Sequence, residues 1–300
     1  MKKGIVVACA AALAIAAGAA GWWLKGRGAA DAGGAPQASG ASMSQPTHRD
    51  PAQRAAWIKS HIAARQHLWR EADYAEVRRM AVAGDALAQR RLSEIQEDCV
   101  AYLITMRRGL NMAKSLAGND PASKAAVDGI YRDVRRLCPG AVAELRADPD
   151  AAANWLHRSA RGGDLVAEMR FIARSEPRLS NARMEYFIGR IRDSGDPDAI
   201  FEMSLLLAKL DSAKPWPDPA QAPALQGAAA EQAWALAACR AGFDCLRGSR
   251  VMNLICLSSL ACRQPDYLRH VVASASYPQM KPEIERRLAI IERGLLVPEP

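Results

Sequence analysis

The motif Gly-Asp-x-x-Ala occurs three times in this chain and constrains its possible folds more than any other feature. The copies begin at Gly84, Gly163 and Gly195, and each follows a stretch in which alanine and large apolar residues recur at helical spacing. This spacing predicts a helix before each Gly-Asp turn and a second helix after it. Such a hairpin buries its apolar side only by packing on a neighbour, so the copies predict stacked hairpins.

Composition favours helices over sheets. Of the 300 residues 50% are apolar, but only 6% are aromatic, and the abundance of alanine suits close-packed helices. Asp-Pro pairs also punctuate the chain, since aspartate is a good N-cap and proline is accepted at the first helical position. We predict an all-α fold of antiparallel helical hairpins, stacked as an irregular α-solenoid over residues 51–300. The pairs are Asp50-Pro51, Asp120-Pro121, Asp148-Pro149, Asp196-Pro197 and Asp218-Pro219.

One hairpin is specified in more detail by its cysteines. Two apolar stripes at helical spacing flank the turn sequence at 118–121, which predicts two antiparallel helices. Cys99 and Cys138 lie about equally far from this turn. Their sulfur atoms therefore come level, and we predict a disulfide bond between them. The second helix is expected to end at Pro139-Gly140.

The four cysteines near the C-terminus form two pairs by spacing. Cys239 and Cys245 are separated by five residues, and so are Cys256 and Cys262. With the first pair they make an even number, which fits three disulfide bonds in an oxidising compartment. Crossed pairing among the last four is an open alternative. A four-cysteine metal site is disfavoured because zinc ligand pairs normally lie two to four residues apart, so no metal or cofactor is expected.

The N-terminus predicts a membrane anchor over residues 1–25. Residues 4–24 carry no charge, and a helix of that length crosses a hydrocarbon core of roughly 30 Å. Trp22 and Trp23 take the position of an interfacial aromatic belt. A cleaved signal peptide, which leaves a soluble periplasmic protein, is the alternative, and a lipoprotein signal at Cys9 is a third option. Residues 26–50 are rich in Gly, Ala, Ser and Pro, which predicts a flexible linker.

The best-formed hairpin carries a family pattern. Ala152, Trp155 and Leu156 precede a Gly-Asp turn and Ala167 follows it, while a second copy covers residues 74–92. This pattern resembles the Sel-like subgroup of tetratricopeptide-like repeats. The C-terminal cysteine turns also look like those of uncharacterised exported proteins of Gram-negative bacteria. The resemblance implies a scaffold with a concave groove that binds proteins, rather than an enzyme.

Residues suited to catalysis or metal binding form no recognisable constellation. His61 and His67 are six residues apart, or about 240° around a helix, so they do not share a face as a metal pair would. Glu94 and Asp98 have the spacing of a helix surface and are interpreted as a solvated face. No serine lies in a Gly-x-Ser-x-Gly sequence, and no catalytic residue is predicted.

Contacts with a partner protein are predicted at a few residues. Trp216 stands between two prolines and is interpreted either as an anchor for a partner or as a cover for the core. Four arginines around the second Gly-Asp turn are expected to line one side of a groove: Arg158, Arg161, Arg170 and Arg174. The net charge of +8 is scattered among acidic residues, so a nucleic-acid partner is not expected.

These features together favour a scaffold. We expect a periplasmic helical protein, tethered to the inner membrane as a single-pass protein through residues 4–24, that mediates protein–protein interaction or assembly of an envelope complex. The alternative is a folding helper for a secreted client, because lipase foldases share the layout of anchor, tether and helical periplasmic domain. An enzyme acting on the cell envelope is the remaining option, and it requires a pocket with converging histidines or carboxylates.

Overall fold

The chain is all-α wherever the structure describes it. The structure is a computed structural model that describes residues 51–102, 107–118, 120–176, 179–209 and 227–295. A π-helical turn, His67–Glu71, follows the first helix, and the described residues form no β-strand. In chain order the helices are α1 (Pro51–Gln66), α2 (Tyr74–Val82), α3 (Ala86–Val100), α4 (Arg107–Ala117), α5 (Pro121–Ala147), α6 (Ala151–Arg161), α7 (Leu165–Ser175), α8 (Asn181–Ser194), α9 (Pro197–Lys209), α10 (Gly227–Ala241), α11 (Arg250–Ser259), α12 (Tyr267–Val272) and α13 (Tyr277–Leu295).

The Gly-Asp turns are confirmed, and the structure explains why their residues recur. The Asp85 side chain accepts a hydrogen bond from the backbone N–H of Ala88 at 2.9 Å, and Asp164 does the same for Ala167 at 2.7 Å. The aspartate is therefore the N-cap of the second helix. The alanine is fully buried in both copies, so a larger side chain there would separate the two helices.

A left-handed backbone at the glycine closes each turn. The φ angle is 97° at Gly84, 92° at Gly163 and 63° at Gly195, values that glycine adopts without the steric cost of a Cβ atom. Gly242 has a φ of 107° at the end of α10. This helix thus ends in the same kind of turn.

Two predicted helix boundaries are wrong. Pro139 and Gly140 lie inside α5, which continues to Ala147. Gly140 packs so closely on the Tyr74 ring that a Cβ atom would overlap it, so the glycine is needed for this contact rather than for ending the helix. Asp148 caps the end of α5 rather than the start of the next helix, and α6 begins at Ala151 after Asp150. The long apolar stripe before residue 118 is also divided between α3 and α4.

Helices from successive hairpins pack against one another. The hairpin α2–α3 meets the hairpin α6–α7 through α3 and α6, and α7 in turn packs on α9. Helix α9 packs on α10, and α10 packs on α13. The hairpin α4–α5 is inserted between the first two: α5 packs on α2 and α3, while α11 packs on both of its helices. Apolar side chains fill each of these contacts in three buried clusters.

The cysteines pair at disulfide distance. Cys99 and Cys138 have their Cα atoms 5.3 Å apart and join α3 to α5, the pairing that the hairpin geometry predicts. The later cysteines pair locally rather than crossing: the Cα separation is 5.6 Å for Cys239–Cys245. For the last pair, at 256 and 262, it is 4.2 Å. All three separations suit, or lie close to, those of disulfide bonds.

Removing the first bond is expected to destabilise the fold more than removing the last. Replacing Cys99 and Cys138 by alanine should lower the free energy of unfolding by roughly 2–4 kcal/mol, because the bond spans 39 residues and constrains the unfolded chain. The bond between Cys256 and Cys262 spans six, so the same double substitution there should cost less. Chemical denaturation of the full-length protein in detergent micelles measures both, and equal losses would contradict this dependence on loop length.

The predicted membrane anchor and linker lie outside the described residues, as do Cys9 and Trp216. Within the described part of the chain, no helix has both the length and the apolar composition needed to cross a bilayer. The boundaries predicted at residues 25 and 50 therefore stay predictions.

Candidate functional site

A cluster of charged side chains fills the junction of α1, α3, α7 and α9. We call it the buried charge network, and nine of its members are less than a tenth exposed. It holds six carboxylates, five arginines and one histidine, so its formal charge is zero when the histidine is protonated. The members are His61, Arg65, Arg90, Arg91, Glu94, Asp98, Asp164, Arg170, Asp196, Asp198, Glu202 and Arg250.

Arg90 lies at the centre of the network and joins three hairpins. Its Nε donates to Asp164 at 3.1 Å and its Nη2 to Asp198 at 2.7 Å. Its Nη1 lies 4.0 Å from Glu94. Burial alone would lower the pKa of the Arg90 guanidinium, but these carboxylates outweigh it and raise that pKa. A charge this deep is tolerated only because it is paired.

Asp198 and Asp196 at the start of α9 hold a histidine from α1. His61 Nε2 lies 3.4 Å from Asp196 Oδ1 and 3.8 Å from Asp198 Oδ2, and Arg65 Nε lies 2.5 Å from Asp198 Oδ1. Burial alone would lower the pKa of His61, but the two carboxylates outweigh it and raise the pKa to about 10. The imidazole is therefore a cation at neutral pH, which balances the network.

The same three residues also have the spacing of a metal site. The ligand atoms of His61, Asp196 and Asp198 all lie within 4.8 Å of one another. Both oxygens of Asp198 already face a guanidinium, from Arg65 and from Arg90. A divalent cation would be repelled by these two arginines, so the arrangement fits a protonated imidazole better than a metal.

Glu94 on α3 binds groups from two sides of the network. It accepts a hydrogen bond from Trp69 Nε1 at 2.9 Å and a second one from Arg170. Arg170 Nε also donates to Glu202 at 2.7 Å. Burial alone would raise the pKa of Glu94, but the surrounding arginines, Arg170 foremost, lower it to about 2. The carboxylate stays ionised throughout the physiological range.

Three arginines of the network contact the ring of Trp69. The guanidinium carbons of Arg65, Arg90 and Arg91 each lie 5.1 Å from the centre of the Trp69 ring. Each contact is within the range of a cation–π interaction, which is stronger away from water. The indole therefore stabilises the arginines through its face while its N–H binds Glu94.

The network ends at an ion pair between α3 and α11, two helices that are far apart in sequence. Arg250 donates through Nε and Nη2 to the two oxygens of Asp98, at 2.8 and 2.7 Å. This bidentate geometry is the strongest form of an arginine–carboxylate pair. Beside it lies a cavity of about 40 Å³ whose wall includes Arg91, Arg250 and the Cys99–Cys138 pair.

The arginines predicted to contact a partner do not share one open face. Arg170 belongs to the buried charge network, which is a correction to its expected place in a groove, because Glu94 and Glu202 hold it inside. Arg174 pairs with Glu97. Arg158 lies over the Trp155 ring, 4.7 Å from its centre, and Arg161 is exposed at the end of α6.

Exposed aromatic residues form a surface next to these arginines. The His157 ring stacks on Phe171 with 4.8 Å between ring centres, and Phe171 is 37% exposed. Tyr186, 40% exposed, donates to Glu168 at 3.0 Å and accepts from Arg190 at 2.7 Å. Positions 168 and 171 are one turn apart on α7, so the contact of Phe171 with His157 and that of Glu168 with Tyr186 lie side by side on this helix. We call His157, Phe171, Tyr186 and Arg190 the aromatic surface.

Sequence reasoning missed the buried charge network. The interpretation of Glu94 and Asp98 as a solvated face is wrong, since they are 2% and 8% exposed. Their i, i+4 spacing is the same as that of a surface pair, so the spacing carried no signal. The Asp of each Gly-Asp turn was the only available signal, and Asp164 indeed caps α7 and binds Arg90.

Comparison with known proteins adds no family to this picture. The chain matches no protein-family model, and comparisons with curated proteins and with solved structures found no match. The resemblance to Sel-like repeats therefore depends on the Gly-Asp turns, and the helical fold is compatible with it.

Proposed function

We propose that this protein is a membrane-tethered periplasmic scaffold that binds another protein on its helical domain. In this proposal, residues 4–24 are the anchor and residues 26–50 the linker. A flexible chain of that length has an end-to-end distance of roughly 25–30 Å, so the domain stays near the membrane without a fixed orientation. The hairpins form an irregular Sel-like solenoid, with α4–α5 as its insertion.

The observation that carries the proposal is the aromatic surface. Phe171 and Tyr186 are large side chains that stay exposed, and Phe171 directly follows Arg170 of the buried charge network on α7. Phenylalanine, tyrosine and arginine are enriched at protein interfaces, where few residues supply most of the binding energy. Arg158, predicted to contact a partner, lies on α6 next to His157 in sequence and flanks this surface.

A rigid support makes such a surface suitable for binding. Glu168 and Met169 precede Arg170 on α7, and Met169 is fully buried while Arg170 is fixed by Glu94 and Glu202. The helix that carries Phe171 is thus held from behind by both apolar and ionic contacts. Binding to a preformed surface avoids the entropy cost of ordering it.

Removing the aromatic surface is expected to abolish partner recovery. We would crosslink the full-length protein in cells, recover it from envelopes and compare wild type with the double variant Phe171→Ala, Tyr186→Ala. Loss of two interface anchors should reduce recovery of the partner at least about tenfold, while the free energy of unfolding changes by less than about 1 kcal/mol.

The matched control is a double variant at exposed apolar residues elsewhere. Val82 on α2 and Leu268 on α12 are 63% and 48% exposed, and replacing both by alanine should leave recovery unchanged. A tagged anchor-and-linker segment sets the background. If the aromatic variant recovers the same proteins as wild type, the proposal fails for this surface. Recovery of one secreted client that is inactive without this protein would favour a folding helper instead.

A further inference from the structure

The wall of the cavity beside the buried charge network includes an arginine that is incompletely paired. Arg91 lines this cavity of about 40 Å³ and is 5% exposed. Among the described residues, its Nε has no hydrogen-bond partner. A buried guanidinium N–H without an acceptor is costly, so the pairing of this wall residue is incomplete.

The nearest carboxylate does not satisfy Arg91. Glu94 Oε2 lies 4.0 Å from Arg91 Nη1, beyond hydrogen-bond distance.

That carboxylate is also occupied, since it accepts from Trp69 and from Arg170. Burial is the largest influence on the Arg91 guanidinium and lowers its pKa, with Glu94 opposing it only in part. The positive charge of Arg91 is therefore less compensated than that of Arg90 or Arg250.

The acidic residues of the cavity wall are each neutralised by another arginine. Asp98 is held by both donors of Arg250, and Asp244 by both donors of Arg70 at 2.7 and 2.8 Å. A third wall residue, at position 133, is bound by the arginine three residues later at 2.9 Å. These pairs leave Arg91 as the wall cation without a dedicated carboxylate.

We propose that this cavity binds one carboxylate group, with Arg91 as its main ligand and Arg250 beside it. A volume of about 40 Å³ is large enough for a few water molecules, and it suits one small anionic group rather than a nucleotide or a sugar. Guanidinium and carboxylate match in shape and charge. The carboxylate can belong to a free small molecule or to an acidic side chain of a polypeptide. This inference does not depend on the proposed scaffold function.

The test uses the full-length protein in detergent micelles and ¹³C-labelled acetate as the probe. Binding should broaden the acetate resonance and raise the thermal unfolding midpoint as acetate increases at constant ionic strength. Arg91→Gln should weaken the apparent affinity about tenfold. Arg161→Gln, which removes an exposed arginine on α6, should behave as wild type. Arg91→Lys, which keeps the charge, replaces the glutamine variant in this test if the glutamine variant does not fold.

A second arm distinguishes the two sources of carboxylate. It compares the blocked peptide acetyl-Gly-Asp-Gly-amide with its Asn counterpart. Binding of the Asp peptide alone, lost in the Arg91 variant, indicates a polypeptide side chain; binding of acetate but of neither peptide indicates a free small carboxylate. Wild type that responds to no probe, or an Arg91 variant that responds like wild type, overturns the proposal and leaves the cavity to water.

Discussion

Replacing Arg90 by methionine is expected to lower the free energy of unfolding by about 3–5 kcal/mol. The side chain is 2% exposed, and methionine keeps much of its volume without its charge. Asp164 loses its hydrogen bond from Nε and Asp198 loses the one from Nη2, so two buried carboxylates stay behind with fewer partners. Removing one member of a buried ionic pair is costly because the other charge is left uncompensated.

The matched control is Arg240→Met. Arg240 pairs with Glu292 at 2.7 Å, but its side chain is 61% exposed, and an exposed pair of this kind contributes at most about 1 kcal/mol. Urea denaturation of both variants, with all disulfide bonds intact, measures the difference. If the two variants lose the same amount, the network does not stabilise the fold in the way its burial indicates.

Stability should also fall as the pH rises from neutral to alkaline values. The pKa of His61 is raised from 6.5 to about 10 in the folded protein, whereas in the unfolded chain it returns to the ordinary value. A raised pKa stabilises the fold fully below about pH 6.5, and the contribution is lost as pH rises through 10. The shift corresponds to at most about 5 kcal/mol, since one pKa unit equals about 1.4 kcal/mol.

His61→Gln should remove this alkaline dependence. Glutamine keeps a polar side chain but does not titrate, so the variant should be less stable than wild type at pH 6 and approach it near pH 10. Unfolding free energies at intervals between pH 6 and 10 measure the two curves. His67 offers a control: its hydrogen bonds to Glu71 and Glu76 also raise its pKa, but the pair is at the surface and screened by solvent, so His67→Gln should change the slope much less. Parallel curves for wild type and His61→Gln would contradict the assignment.

Features set by neighbouring residues were predictable from the sequence. An Asp that caps a helix accepts a hydrogen bond from the N–H three residues later. The Gly-Asp turn is therefore formed by residues close together in the sequence and could be predicted from them. The pairing of Cys99 with Cys138 was predicted from two antiparallel helices about one turn, and it is confirmed although the first of those helices is divided into α3 and α4. The continuation of α5 past Pro139 was not predictable in this way. It brings Gly140 against Tyr74, and Tyr74 lies 66 positions earlier in the chain.

Features set by distant residues were not predictable. Helix α3 is polar over much of its length, yet α2, α5 and α6 all pack on it, so its charged residues are enclosed on several sides. Whether Glu94 faces water or Arg170 depends on where α7 lies, and no local pattern fixes that. The same holds for the aromatic surface, since His157 meets Phe171 only when α6 and α7 form their hairpin.

The ion pairs of the network join segments that are synthesised far apart in time. Arg90 meets Asp164 and Asp198 across 74 and 108 residues, and Asp98 meets Arg250 across 152. Repeat proteins normally contact only their neighbours and can fold progressively from one end. Here a nascent chain that has formed α3 would still carry its charged residues without their partners. We therefore infer that the N-terminal hairpins acquire their final packing only after the sequence up to α11 has emerged.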